Sequence, residues 1–287
     1  MINSAVNKLD KGSFKLTINI SKDEIATTRE QVISEMVKEA QIPGFRKGSA
    51  PRDRVEATLD PKTVYEEILK RIVPRAYIES LKKHSLKPIL NPKVELVKAI
   101  EGEDWEVSAT SCEAPIVELG DYKAEIKKTL ATDTLWTPDK GDPTKKVATD
   151  KDKQLNSIID HLLAIITIEP AEMLVDEEVN HALSRLIDQT QSLGITVEQY
   201  LASTGKTAET LKEEYRESSR KNLKLEFLLN AIAKDLKIEI SDKEIDAVIQ
   251  AAGDENARHT LDNQTQRSMI RAILSRRQAL DSIMKFA

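Results

Sequence analysis

Two hydrophobic rhythms divide this chain. In the first hundred or so residues, apolar positions alternate with polar ones before giving way to helical spacing. From Ser13 to Ile20, Phe14, Leu16, Ile18 and Ile20 stand at every second position, the period of a half-buried strand. Val6 and Leu9 precede it, and Lys11-Gly12 makes a hairpin turn back to a short first strand. Ser21-Lys22-Asp23-Glu24 has the spacing of a capping box, in which the serine oxygen takes a backbone N–H and Glu24 reaches back to the cap. The helix it opens carries Ile25, Val32, Ile33, Met36, Val37 and Ala40, and ends before Pro43-Gly44. A second helix starts at Pro61 with Val64, Ile68, Leu69, Ile72, Val73, Tyr77 and Leu81 on one face. Pro74 is expected to bend or break it. Two further strands are predicted around 93–100 and 104–113, joined by Glu101-Gly102-Glu103.

Between about Val117 and Asp152 both rhythms stop. Leu119-Gly120-Asp121-Tyr122 and the run from Trp136 to Pro143 are turn-formers, and Lys, Thr and Asp dominate the remainder, which predicts an extended linker. Everything after it follows the helical period. One helix carries Leu155, Ile158, Ile159, Leu162, Leu163 and Ile166 and stops before Pro170. The next runs from Met173 to Leu193, with Gly194 as terminator. Thr196-Val197-Glu198-Gln199 caps a short helix ending near Gly205, Leu211 to Leu236 marks a long one, Ser241-Asp242-Lys243-Glu244 caps another, and Met269 to Met284 marks the last. The expected architecture is α+β: a small antiparallel sheet with two helices at the N-terminus, a linker, then an all-α domain. The expected boundaries are 1–116, 117–152 and 153–287.

Composition narrows the function. The 287 residues are 40% hydrophobic, enough for real cores, and only 4% aromatic, too few for a base-stacking surface. A formal charge of −5, from 43 basic and 48 acidic side chains, gives no global pull toward nucleic acid or anionic membrane. The lone cysteine, Cys112, excludes an intrachain disulfide and fits a reducing compartment. With charged residues ahead of any apolar run at the start and no apolar stretch near ~18 residues, a soluble cytoplasmic protein is expected, with no membrane partner.

Catalytic chemistry finds little support. Gly205-Lys206-Thr207 resembles the end of a P-loop, but the upstream glycine that would cradle phosphate is replaced by Tyr200. His84, His161, His181 and His259 stand far apart and away from Cys112, so no metal site and no cofactor is expected. The pairs Glu66-Glu67, Glu177-Glu178 and Glu213-Glu214 sit between apolar helix positions as solvated faces. One segment differs. Gly44-Phe45-Arg46-Lys47-Gly48-Ser49-Ala50-Pro51 lies between two helices, with a large apolar residue beside two cations, glycines for sharp turns and a proline to stiffen the exit. Two readings of it stand open on the residues alone: Phe45 projects toward a partner, or it folds back into the core.

Gly-Phe-Arg-Lys-Gly followed by Pro51, set between a strand–helix and a helix–hairpin, closely resembles the ribosome-binding signature of the trigger factor family, bacterial chaperones of the nascent-chain exit. Ile168-Glu169-Pro170 and Ile238-Glu239-Ile240-Ser241 are similar to junctions in that family's substrate-cradling C-terminal domain. The resemblance implies that Phe45, Arg46 and Lys47 contact the large ribosomal subunit near the exit tunnel, both protein and rRNA, while Gly44, Gly48 and Pro51 shape the loop. It also implies ATP-independent binding of nascent or unfolded polypeptides, and leaves room for a homodimer. Family members often carry Lys after the second glycine. Ser49 here lowers the electrostatic part of docking by on the order of 1 kcal/mol or less. The family's FKBP-type prolyl isomerase domain has no room in the polar stretch 129–152, since a domain needs at least ~50 residues, so no enzymatic activity is expected. Other functions in view are an off-ribosome holdase or assembly chaperone, an RNA-binding module using Arg46, Lys47, Arg52 and Arg54, and a prolyl isomerase or hydrolytic enzyme.

Overall fold

A computed structural model describes residues 3–133, 147–251 and 255–286. The chain divides into two compact units, Met1–Ala114 and Pro115–Ala287. The turn-formers expected from Trp136 to Pro143 lie outside the described residues.

The first unit is built on four antiparallel strands, β1 (Asn3–Lys8), β2 (Ser13–Ile20), β3 (Lys93–Lys98) and β4 (Trp105–Cys112), in the order β1-β2-β4-β3. Alternation in the sequence sets the register. Leu16 faces Ala109, Ile18 faces Val107 and Ile20 faces Trp105, so one face of the central pair is apolar apart from Ser111 opposite Phe14. Helices α1 (Lys22–Glu39) and α3 (Pro61–His84) pack against each other and supply the rest of that core, with Ile25, Val32, Ile33, Val64, Ile68 and Ile72 buried. Trp105 is sealed there, its Nε1 donating to the Ile100 carbonyl at 3.3 Å and its ring meeting Tyr65 edge-on at 5.6 Å. The helices do not reach over β3, all of whose residues are exposed.

Two local expectations change. Ser21 caps α1, its Oγ accepting from Glu24 N at 3.4 Å, but the return arm of the box is not made. Asp104 instead takes the Lys22 N–H at 2.9 Å and ties the helix start to the β3–β4 turn. Pro74 does not break its helix: α3 runs on through it, because Ile68 and Ile72 before it and Ala76, Tyr77 and Ser80 after it are all buried in one unit. That shared burial outweighs the one backbone hydrogen bond the ring removes.

The described part of the second unit is helical: α4 (Tyr122–Asp133), α5 (Val147–Ile165), α6 (Glu172–Ser192), α7 (Val197–Thr204), α8 (Ala208–Asp235), α9 (Asp242–Ala251), α10 (Glu255–Leu261) and α11 (Gln264–Phe286). The Thr196 box is complete, with Gln199 N donating to Thr196 Oγ1 and Thr196 N donating to Gln199 Oε1. The main core joins Ile158 and Leu162 of α5, Leu228 and Ile232 of α8, and Ala279 and Ile283 of α11. Around it, ion pairs cross between helices: Asp176–Arg216 and Glu172–Arg220 link α6 to α8, and Asp160–Lys221 links α5 to α8.

The linker expected over 117–152 is corrected in its described part. Residues 122–133 form α4, whose Tyr122 and Ile126 are buried in the same core. The phenol of Tyr122 donates to Asp235 Oδ2 at 2.9 Å, and Lys123 reaches the same carboxylate at 3.3 Å. Burial and the adjacent carboxylate push the Tyr122 phenol well above its usual range, while the bond from Tyr122 and then Lys123 hold Asp235 below the ordinary carboxylate value. The helix therefore belongs to the folded helical unit. Truncating Ile126 to Ala leaves a hole in that core and lowers the stability of the helical unit by about 2–4 kcal/mol in urea unfolding. A loss below about 1 kcal/mol would detach α4 from the core.

Candidate docking loop

The segment from Ala40 to Pro51 leaves the end of α1 and returns to a short helix, α2 (Arg52–Glu56), that packs on α1. Two successive turns tile it. Phe45 N donates to the Ile42 carbonyl at 3.0 Å, closing Ile42-Pro43-Gly44-Phe45, and Ser49 N donates to the Arg46 carbonyl at 2.9 Å, closing Arg46-Lys47-Gly48-Ser49. Each has glycine in its third position with positive φ, +89° for Gly44 and +74° for Gly48, as type II turns require. Phe45 and Arg46 sit where the two turns meet.

That junction faces outward. Phe45 is 44% exposed, and Arg46 and Lys47 are exposed beside it with no ion pair among the described residues. Of the two readings the residues left open, projection is the one the geometry favours. An aromatic ring half in water next to two unpaired cations is an unusual surface for an isolated fold. The loop's root is firm. Gly48 N donates to the Ala40 carbonyl at 3.1 Å, Ala50 and Val55 are buried, and Pro51 occupies the N-cap of α2.

Arg52 is not free, which separates it from Arg46 and Lys47. Its Nη2 contacts the Glu30 carboxylate of α1 at 2.8 Å and its Nε pairs with Glu56 one turn along α2. Glu56 first, then Glu30, raise its pKa above the ordinary guanidinium value. Nearby, Arg71 of α3 grips Glu35 of α1 through both nitrogens, at 3.0 and 2.5 Å, and holds that carboxyl below its usual range. The helix α2 and both pairs were missed in the sequence. The Arg52–Glu56 spacing of four was a visible signal, whereas Glu30 and Glu35 lie 22 and 36 residues from their partners.

Elsewhere, three histidines have polar neighbours. His84 is held by Ser4, His161 lies 3.3 Å from Glu125 and His181 lies 3.4 Å from Glu177. Cys112 is buried, which pushes its thiol up and away from reactivity. Among the described residues, no group of three or more His, Cys, Asp or Glu could hold a metal, and no helix is long and apolar enough to cross a membrane.

A sheet-and-helix unit joined to a helical unit is the fold of a solved trigger factor chaperone. That likeness covers 98% of this chain and 99% of the other, with a TM-score of 0.64 at 16% identity. Two family models match in tandem: bacterial trigger factor protein over residues 2–134, and bacterial trigger factor protein C-terminus over 144–285. The chain belongs to the trigger factor family. The trigger factor of Natranaerobius thermophilus is 34% identical over 128 residues, 44% of this chain and 29% of that protein. That of Desulforamulus reducens is 27% identical over 202 residues, 70% of this chain and 44% of that protein, and that of Moorella thermoacetica 37% over 119 residues, 42% and 27%. The matched segments thus span less than half the length of these relatives. Only residues 135–143 lie between the two family matches, and α4 falls within the N-terminal match although it packs in the helical unit.

The two glycines make different demands. A Cβ on Gly48 would stand 2.6 Å from the Lys38 carbonyl oxygen, whereas one on Gly44 meets nothing within 4 Å. Gly44→Ala therefore costs only the positive φ, about 1 kcal/mol. Gly48→Ala must also push the loop off the end of α1, for a total of about 2–3 kcal/mol. Chemical denaturation of both variants tests this, with equal costs as the contrary result.

Proposed function

We propose that this chain is an ATP-independent chaperone that docks on the large ribosomal subunit beside the tunnel exit through Phe45, Arg46 and Lys47. There it holds nascent or unfolded polypeptide on its helical unit. The observation that carries this reading is the outward Phe45 ring, beside two cations with no ion pair among the described residues and held by two glycine turns. The ring supplies an apolar anchor of the kind that dominates small interfaces, and the cations supply a salt-sensitive attraction to phosphate-rich RNA. Gly44, Gly48 and Pro51 set the loop's course. Tethering raises the local concentration of the helical unit around each emerging chain, so weak contacts suffice to hold it. Release needs no nucleotide, because a folding client buries the surface that was held.

Family membership and the loop geometry support this reading, and cytoplasmic residence follows from it. An RNA-binding module built on Arg46, Lys47, Arg52 and Arg54 is less well served, since Arg52 is neutralised by two carboxylates. Changing Phe45, Arg46 and Lys47 together to alanine is expected to weaken cosedimentation with ribosomes by at least about 2 kcal/mol, roughly thirtyfold. Equal pelleting of the two forms sinks the docking assignment and leaves an off-ribosome holdase as the alternative.

The nine residues between the family matches leave no space there for an isomerase domain, and we assign the chain no prolyl isomerase activity. A proline-containing peptide assay should show no acceleration at protein concentrations that hold unfolded clients. Turnover with saturation would overturn that assignment.

A further inference from the structure

The docking loop touches α1 at two levels. Near the helix end, Gly48 N–H bonds Ala40 O, with the glycine close against Lys38 O. Glu30 lies ten residues before Ala40, or roughly 15 Å back along α1, and there Arg52 fastens the returning leg. Between those two points the chain makes its second turn and enters α2. The tip that carries Phe45, Arg46 and Lys47 is therefore suspended from one anchor on the backbone and one on a side chain.

We propose that Arg52 is a positioning residue for docking: by forking between Glu30 and Glu56 it locks α2 to α1 and keeps the Phe45–Lys47 tip pre-organised. This rests on the docking function proposed above. Arginine suits the task because Nε and Nη2 engage two carboxylates from two helices at once, a geometry that lysine's single ammonium cannot reproduce. Its charge is spent within the protein, unlike those of Arg46 and Lys47. An ordered tip loses less conformational freedom when it binds, and that saving appears directly in affinity.

The test turns on sign. Glu30→Gln removes a negative charge from the neighbourhood of an RNA-facing loop. If Arg52 contacted ribosomal phosphate itself, freeing it would tighten binding. If it positions the tip, binding weakens by about two- to fivefold, the range set by an exposed ion pair. Arg52→Lys, which keeps the charge and loses the fork, should weaken binding by a similar factor. Both would be measured by ribosome cosedimentation across a concentration series, with the thermal midpoint unchanged. Hydrogen exchange of the free protein gives a second readout: amides of Gly48 and Ser49 should exchange faster in Glu30→Gln. Tighter binding in Glu30→Gln, unaltered binding in Arg52→Lys, or unchanged exchange at those amides overturns the assignment. The Phe45/Arg46/Lys47 triple alanine variant, run alongside, reports on the docking function separately. If it pellets like the native chain, docking itself fails, and the exchange result alone decides whether Arg52 orders the loop.

Discussion

The loop depends on how near a backbone can come to the end of α1. At Gly48 the chain passes so close to the Lys38 carbonyl that any side chain would collide, and it turns there with a φ that other residues resist. That close pass lets the Gly48 N–H reach the Ala40 carbonyl, satisfying one of the acceptors that a helix end leaves bare. With its root fixed, the loop can afford a half-exposed aromatic tip. The constraint reaches further back, because α1 must itself be immobile. It is held by Val32 and Ile33 in the sheet core and by the bidentate Arg71–Glu35 pair to α3.

How much of this could be read in the sequence depended on whether the informative residues lay close together. The strands were legible because Phe14, Leu16, Ile18 and Ile20 alternate without a break, and the register then follows from which face is apolar. The loop was legible as turn chemistry, since Pro43-Gly44 and Lys47-Gly48 stand at the positions their turns demand. The helix α4 was not legible. Its two buried side chains established here, Tyr122 and Ile126, are one turn apart in a run otherwise rich in lysine, threonine and acid, and their partners lie on α5, α8 and α11. Pro74 misled for the opposite reason: a strong local signal was overridden by burial on both sides of it. Arg52 read as one more basic residue until its carboxylate partners came into view.

The two units solve the shortage of aromatic residues differently. The first concentrates Phe14 and Trp105 beneath two helices. The second is mostly aliphatic where its helices cross, with Tyr122 buried and Phe227 and Phe286 packed against that core, and arginine and lysine span from one helix to the next outside it. Exposed pairs of this kind contribute little individually and weaken with salt, so the aliphatic contacts carry most of the stability.

The fourth strand, β3, remains uncovered. Val94 and Leu96 continue the apolar face of the sheet past the last helix, and the outer rim of the strand has no neighbour within the described fold. Such a seam invites two molecules to knit together. A slip in pairing between Leu96 and Lys98, with a lysine at either end, roughens the rim and makes an identical strand a poor match. The consequence is local: such a rim disfavours edge-to-edge pairing of two copies, although the strand leaves apolar side chains in water.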